Sequence, residues 1–284
     1  FRAVHGHFKP LSADPEFGWR NLEKLQATSE MTGAKLVHAA PAHDGSTKLI
    51  IELRDHSQVE SVLIPGQGHR LTLCVSSQVG CGVGCSFCAT GQLGVKRSLS
   101  AGEIMAQVHL ANAYLGPEAR ISHVVFMGMG EPLQNYAAVK RSIDILLDHR
   151  GPCLEARKIT VSTVGLIRRM RQFASDFQGR VQLALSLHAG TDETRRRIIP
   201  LAERYPLADL RETCLTHPLP GSRHLMLEYV VLPGVNDSPA ELAAVAAWTT
   251  GLRCIVNLVP FNPFPGADFC APSEMQTRAA ATTL

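Results

Sequence analysis

Apolar and polar positions repeat along this chain in two rhythms. Residues 48–53 and 59–64 alternate with the period of two expected of half-buried β-strands, and the polar turn Arg54-Asp55-His56-Ser57 separates them. Ahead of them, residues 19–31 place Trp19, Leu22, Leu25 and Met31 on one side of a helix. Residues 1–70 therefore read as a small N-terminal α+β extension. From Leu71 the pattern becomes repetitive. Apolar, strand-like runs occupy 71–75, 121–127, 157–162, 181–187, 225–232 and 254–259, with segments of helical period between them. Ser100 and Glu103 form a capping box ahead of Ile104, Val108 and Ala111. Residues 135–149, 166–177, 206–217 and 239–250 carry comparable helical patterns. Six strands alternating with five helices predict βα units and a parallel sheet, because parallel neighbours need crossover connections. Six falls short of the eight of a closed barrel. Residues 71–266 thus predict an open, partial (β/α)6 barrel, and residues 267–284 the start of a C-terminal segment.

Composition adds little to that picture but excludes alternatives. Of 284 residues, 45% are hydrophobic and 19% charged, which rules out disordered and fibrous classes. No apolar run approaches the roughly 18 residues of a membrane helix, and no leader-like segment opens the sequence, so a soluble, cytoplasmic protein is expected. The first residue is Phe1 rather than Met, so the sequence is expected to begin inside a longer chain. A formal net charge of +3 permits an RNA partner without implying one. Arg168-Arg169-x-Arg171 and Arg195-Arg196-Arg197 could meet phosphates, against the ordinary fate of such runs as solvated helix faces.

The cysteines change the picture. There are eight, and Cys74, Cys81, Cys85 and Cys88 fall within fifteen residues. A long chain with this periodicity is no secreted disulfide scaffold. Cys153, Cys214 and Cys254, set among apolar neighbours, are expected as small core residues, and Cys270 as an incidental loop thiol. Cys81-x3-Cys85-x2-Cys88 directly follows the first barrel strand, and Gly80, Gly82 and Gly84 allow a tightly wrapped loop. Three thiolates on a cubane leave one iron open to a small molecule, whereas an electron-transfer cluster takes four. A zinc knuckle with Cys74 as fourth ligand is the alternative. The other chemistry-bearing positions follow the strands: Gly130 and Glu131 the second, Ser162 the third, His188 the fourth and Asn262 the sixth, the rim where barrel active sites form. Read singly, His188 could satisfy a backbone carbonyl and Ser162 could cap the helix beginning near Gly165.

The cysteine triplet, with Phe87 before its third member, resembles the radical S-adenosylmethionine (SAM) superfamily. The longer string CVSSQVGCGVGCSFCATGQLGVKRSLSAGEI resembles one branch of it, the RlmN/Cfr adenine methyltransferases of ribosomal and transfer RNA. VVFMGMGEPLQNY, KITVSTVGL, LALSLHA, EYVVLPGVND and LVPFNPFPG continue the likeness in order, across residues 49–269. The resemblance implies the partial barrel of the radical SAM type, a [4Fe–4S] cluster on Cys81, Cys85 and Cys88, and SAM held by Gly130, Glu131, Ser162, Ser186, Leu187, His188 and Asn262. It implies methylation of an RNA adenosine at carbon 2 in preference to carbon 8, through a methylated cysteine, with an external electron donor such as flavodoxin. It further implies that Glu60 accepts a proton and that Cys74 resolves a protein–RNA adduct by forming a disulfide. Without the likeness, Cys74 reads as a core cysteine and Glu60 as a solvated carboxylate. The resemblance implies a methyl-carrying cysteine in a C-terminal motif beyond one more helix and strand. The sequence given stops at Leu284, before that motif would appear, so a tail not shown and a divergent member both stay open, and Cys270 is not expected to replace it. A monomer is expected. The same scaffold acting on a non-RNA substrate and a zinc-stabilised RNA-binding module stay open as alternatives.

Overall fold

Each of the six barrel strands and five helices expected above forms within two residues of its expected bounds, as do both strands of the extension. The structure is a computed structural model describing His5 and residues 33–284; the helix expected over residues 19–31 lies outside the described residues. The strands are β1 (Lys35–Pro41), β2 (Thr47–Glu52), β3 (Gln58–Pro65), β4 (Leu71–Cys74), β5 (Gln78–Gly80), β6 (Val95–Ser98), β7 (His123–Phe126), β8 (Ile159–Thr163), β9 (Gln182–Ser186), β10 (Leu225–Val231) and β11 (Cys254–Pro260). The α-helices are α1 (Ala89–Gln92), α2 (Ala101–Leu115), α3 (Tyr136–Leu147), α4 (Ile167–Phe177), α5 (Asp192–Ile198), α6 (Leu207–Leu215), α7 (Pro239–Thr249) and α8 (Glu274–Thr283). The elements not foreseen are those with little periodic apolar content. β1 is mostly exposed, and α5, read DETRRRI, has one apolar residue.

The chain divides into two compact units. One runs to Val79 and adds Arg97–Met129 and Asn135–Ile159; the other holds Gly80–Lys96, Gly130–Gln134 and Thr160–Leu284. In the first, β1 to β4 pair antiparallel in sequence order, and β4 pairs parallel with β7. The alternation in β3 buries Val59, Ser61 and Leu63 while Glu60, Val62 and Ile64 face outward. Burying Leu49, Ile51 and Val59 completely stabilises this sheet by roughly 1.5–3 kcal/mol per side chain. The turn after β2 closes as expected, with the Leu53 N–H donating to Ser57 O at 2.8 Å. α2 starts at the Ser100–Glu103 capping box, both halves of which form.

In the second unit, β8, β9, β10 and β11 run parallel in that order. β10 is buried along almost its whole length, as a strand covered on both faces must be. α4 buries Met170, Phe173 and Phe177 and leaves Arg168, Arg169 and Arg171 exposed. Three expectations are corrected. Ser162 does not cap α4, whose N-cap is Leu166 with no side-chain cap bond. Cys153 is exposed, at φ 55° outside the secondary structure, while Cys214 is buried and Cys254 only partly so. Arg195 is fully buried and bonded to backbone carbonyls, so it presents nothing to a phosphate.

Candidate active site

Every expected site residue except Glu60 and Cys74 belongs to the second unit. The cysteine loop begins at Gly80, which has φ 77°; a Cβ there would stand 1.9 Å from the Gly94 carbonyl oxygen, so only glycine allows this closure. That carbonyl accepts the Cys81 N–H at 2.9 Å, tying the loop's two ends together. Cys88 is the N-cap residue of α1 and donates its N–H to Cys85 O at 3.1 Å. An apolar wall that includes Val83, Ile198, Ile199, Val230, Leu232 and Phe261 backs Cys81, Cys85 and Cys88. The Phe87 and His188 rings meet in a T-shaped contact, 4.8 Å between centroids.

Burial keeps the Cys81 and Cys85 thiols of this loop neutral while nothing is bound to them. Burial raises the Cys81 and Cys85 thiols above the usual range, the charges of neighbouring cysteines and Glu131 raise them further, and Arg195 draws Cys85 back. Among the described residues, no three His, Cys, Asp or Glu side chains converge enough to hold a single metal ion. A cubane does not require that, because its irons sit at separate corners and each takes its own thiolate. The donor set therefore fits a [4Fe–4S] cluster on three cysteines.

The loop after β7 brings Gly130, with φ 98°, and Glu131. Glu131 is buried, and its two oxygens accept the Leu133 and Val164 N–H groups, each at 2.9 Å. Burial still pushes this carboxyl up to about 7 against those donors. It thus clips its own loop to the residue after β8. Ser162 Oγ lies 3.3 Å from Ser186 Oγ; Ser186 is in register with Glu228, and Glu228 with Asn257. The result is a polar row across four parallel strands. The Leu187 side chain is buried, while its N–H and carbonyl bond to Glu228 O and Arg195 Nε.

His188 takes the left-handed conformation, φ 57°, and its Nδ1 accepts the Val230 N–H at 3.0 Å. A backbone amide only donates, so Nδ1 carries a lone pair. Burial, and secondarily Arg195, lowers this imidazole to about 3, keeping it neutral with its proton on Nε2. It satisfies a backbone N–H rather than the carbonyl expected. Asn262 follows the buried Phe261 and is exposed. In the other unit, Cys74 is buried, which pushes its thiol up to about 11. Glu60 lies on the outer face of β3, its side chain 46% exposed and 3.3 Å from Lys48 Nζ. All eight cysteines are free thiols.

Sequence reasoning missed three residues. Asn236, fully buried, accepts the Leu232 N–H and donates to the carbonyls of His188 and Val230. Glu228 is 9% exposed; its Oε2 accepts from Asn257 at 2.7 Å, whereas the buried Oε1 has no partner. Arg195 is the third. Asn236 and Glu228 stood in plain view inside EYVVLPGVND, but nothing in spacing separates an inward polar residue from a solvated one.

Residues 75–246 match the sequence profile of the radical SAM superfamily. A protein of Syntrophobacter fumaroxidans described as "Dual-specificity RNA methyltransferase RlmN" is 43% identical over 92% of this chain and 75% of its own length. The chain belongs to the RlmN/Cfr-type radical SAM methyltransferases. A like-named protein of Anaeromyxobacter dehalogenans is 42% identical over 93% of the chain and 77% of its own length. The crystal structure of a radical SAM methyltransferase from Sphaerobacter thermophilus, 38% identical, covers 100% of this chain and 84% of its own with a TM-score of 0.93. The fold is therefore the α/β radical SAM fold with its mainly parallel central sheet: strand and helix periodicity led one to expect the parallel α/β class, and the motif resemblance its radical SAM type. Enzymes of this family use a [4Fe–4S] cluster and SAM, and this one is a radical SAM methyltransferase.

Proposed function

We propose that this enzyme methylates an adenosine of ribosomal RNA, transfer RNA or both, at carbon 2 rather than carbon 8. The observation that carries the reading is the 43% identity, over 92% of the chain, to a relative described as a dual-specificity RNA methyltransferase. Cys81, Cys85 and Cys88 hold the cluster. When bound, the cluster supplies the electron that breaks a carbon–sulfur bond of SAM. Gly130 and Glu131 hold the SAM amino group, the first through exposed backbone and the second through its carboxylate. Ser162, Ser186, Leu187, His188 and Asn262 contact the remainder, with the neutral His188 offering Nε2–H as a donor. Leu187 contributes packing, since its side chain is buried. The apolar wall behind the cysteines excludes water from the cluster.

Glu60 accepts the proton released from the adenine ring, which requires Lys48 to yield it. Cys74 resolves the protein–RNA adduct through a disulfide, and its buried thiol stays inert until the reaction reaches it. The methyl group travels on a methylated cysteine, an external donor such as flavodoxin supplies the electron, and the enzyme works as a monomer in the cytoplasm. No helix among the described residues is long and apolar enough to cross a membrane.

Two measurements test the reading. Anaerobically reconstituted protein should hold about four irons per chain, and Cys81→Ala, Cys85→Ala and Cys88→Ala should each abolish the cluster and SAM cleavage. A colourless protein with one tightly bound zinc refutes the cluster ligation. Nucleoside mass spectrometry of RNA from a deletion strain should lack a 2-methyladenosine present in the parent. Unchanged methyladenosines remove the RNA assignment.

A further inference from the structure

Arg195 is the largest fully buried side chain among the described residues, and its surroundings leave its charge unanswered. Its Nε donates to Leu187 O at 3.1 Å, and its Nη2 donates to Val164 O at 2.6 Å and Ser186 O at 3.1 Å. Its Nη1 is buried without a partner. Among the described residues, no carboxylate lies within ion-pair distance of it. The one carboxylate acting on it electrostatically, Asp192, sits on the same helix and accepts the Leu207 N–H at 2.8 Å. Carbonyl oxygens solvate a guanidinium but do not neutralise it, and an unpaired buried charge costs several kcal/mol. Burial lowers its pKa to about 10, which leaves it protonated at neutral pH.

The missing counter-charge lies toward the cysteine loop. α5, which carries Arg195, ends at Ile198, whose carbonyl accepts the Ser86 N–H at 3.0 Å and the Ser86 hydroxyl at 3.4 Å. Ile198 and Ile199 pack in one cluster with Cys85. Cys85 is a neutral thiol while its burial goes uncompensated; it becomes a thiolate on binding iron, in the loop against which α5 is packed. A [4Fe–4S]2+ core with three thiolates carries one negative charge, and one-electron reduction makes it two.

We propose that Arg195 is the built-in counter-ion of the iron–sulfur cluster, a positioning residue that favours the reduced state by its charge. The inference rests on ligation of the cluster by Cys81, Cys85 and Cys88. A fixed cation beside the anion stabilises the added electron, so removing it lowers the reduction potential. The same guanidinium ties the carbonyl ends of Ser186 and Leu187 to Val164, so charge and clamp must be separated experimentally.

The test is EPR-monitored redox titration of the reconstituted full chain without SAM, comparing wild type, R195M, R195Q and R195K, with iron content measured for each. Loaded R195M and R195Q should show a lower midpoint, by about tenfold or more in the reduction equilibrium, about 59 mV for one electron. R195K should stay close to wild type. A wild-type midpoint in loaded R195M overturns the inference alone, as does a shift that appears only after SAM is added, which would make the SAM carboxylate the partner. Should neither neutral variant load, R195K decides. Loading with a near-wild-type midpoint supports the charge, and failure to load reduces Arg195 to a clamp for carbonyls. Wild-type protein without a cubane signal overturns cluster ligation and this inference together.

Discussion

The antiparallel sheet β1–β3 and the rim of loops following β7–β10 handle polar groups in opposite ways. In the sheet, charge faces outward and pairs across strands: Lys35 with Glu52 at 2.9 Å and Lys48 with Glu60 at 3.3 Å, both lysines at least half exposed. At the rim, charge and amide groups face inward and are answered by backbone. Glu131 accepts two N–H groups, Asn236 and Arg195 reach carbonyls, and His188 accepts an N–H. Water pairs an exposed ion about as well as a neighbour does, so the sheet gains shape from its apolar face and little from its charges. A buried polar group has no such alternative, and each bond holds a loop in one place. Side-chain bonds that fix the backbone are therefore concentrated at the rim rather than in the sheet.

The largest test of that contrast is Asn236→Ala. It strips partners from the Leu232 N–H and the carbonyls of His188 and Val230 at once. Chemical denaturation should show a loss on the order of 4 kcal/mol, since each orphaned buried group costs about 1–3 kcal/mol and such losses overlap. A loss under about 1 kcal/mol would mean that the rim is held by something else.

Acid comes next. His188 binds its proton near 6.5 when unfolded and only near 3 when folded, because burial disfavours the imidazolium. Below pH 6.5 the unfolded state binds more protons, so folding stability falls as pH falls, by up to about 1.4 kcal/mol per pH unit. Burial places His109 and His217 near 4, and they add slopes of the same sign. His188→Asn keeps a residue tolerant of positive φ and an acceptor near Nδ1 while removing the titration. Denaturation at pH 7 and pH 5 should show a shallower acid loss in that variant; an unchanged slope would show that His188 is not held neutral.

The sheet should give the smallest effect. Lys48→Ala should change stability by about 0.5 kcal/mol or less, as exposed pairs do, and raised salt should erase even that. A loss of several kcal/mol would put Glu60 and Lys48 in the class of the rim residues and dissolve the contrast.

Much of this molecule follows from its sequence. Period two marked β2 and β3, period 3.6 marked the long helices, and the Ser100–Glu103 box marked the start of α2, because each signal is local and needs only neighbours in the chain. The cysteine triplet was equally legible, since its three thiols lie on one short glycine-rich loop, close together in the chain. Elements made by distant partners were not legible. β1 forms because β2 offers it an edge, and α5 holds its apolar Ile198 against Cys85 despite its run of arginines.

Side-chain direction was the property reserved for tertiary structure. In Arg195-Arg196-Arg197 the three letters are the same, yet Arg195 is fully buried while Arg196 and Arg197 are exposed. Glu60 and Glu228 each stand mid-strand among apolar residues, yet one is half exposed beside a lysine and the other buried with an unpartnered oxygen. A sequence states which groups can ionise or donate. Whether water or a carbonyl answers them depends on what packs overhead, and residues dozens of positions away supply that cover.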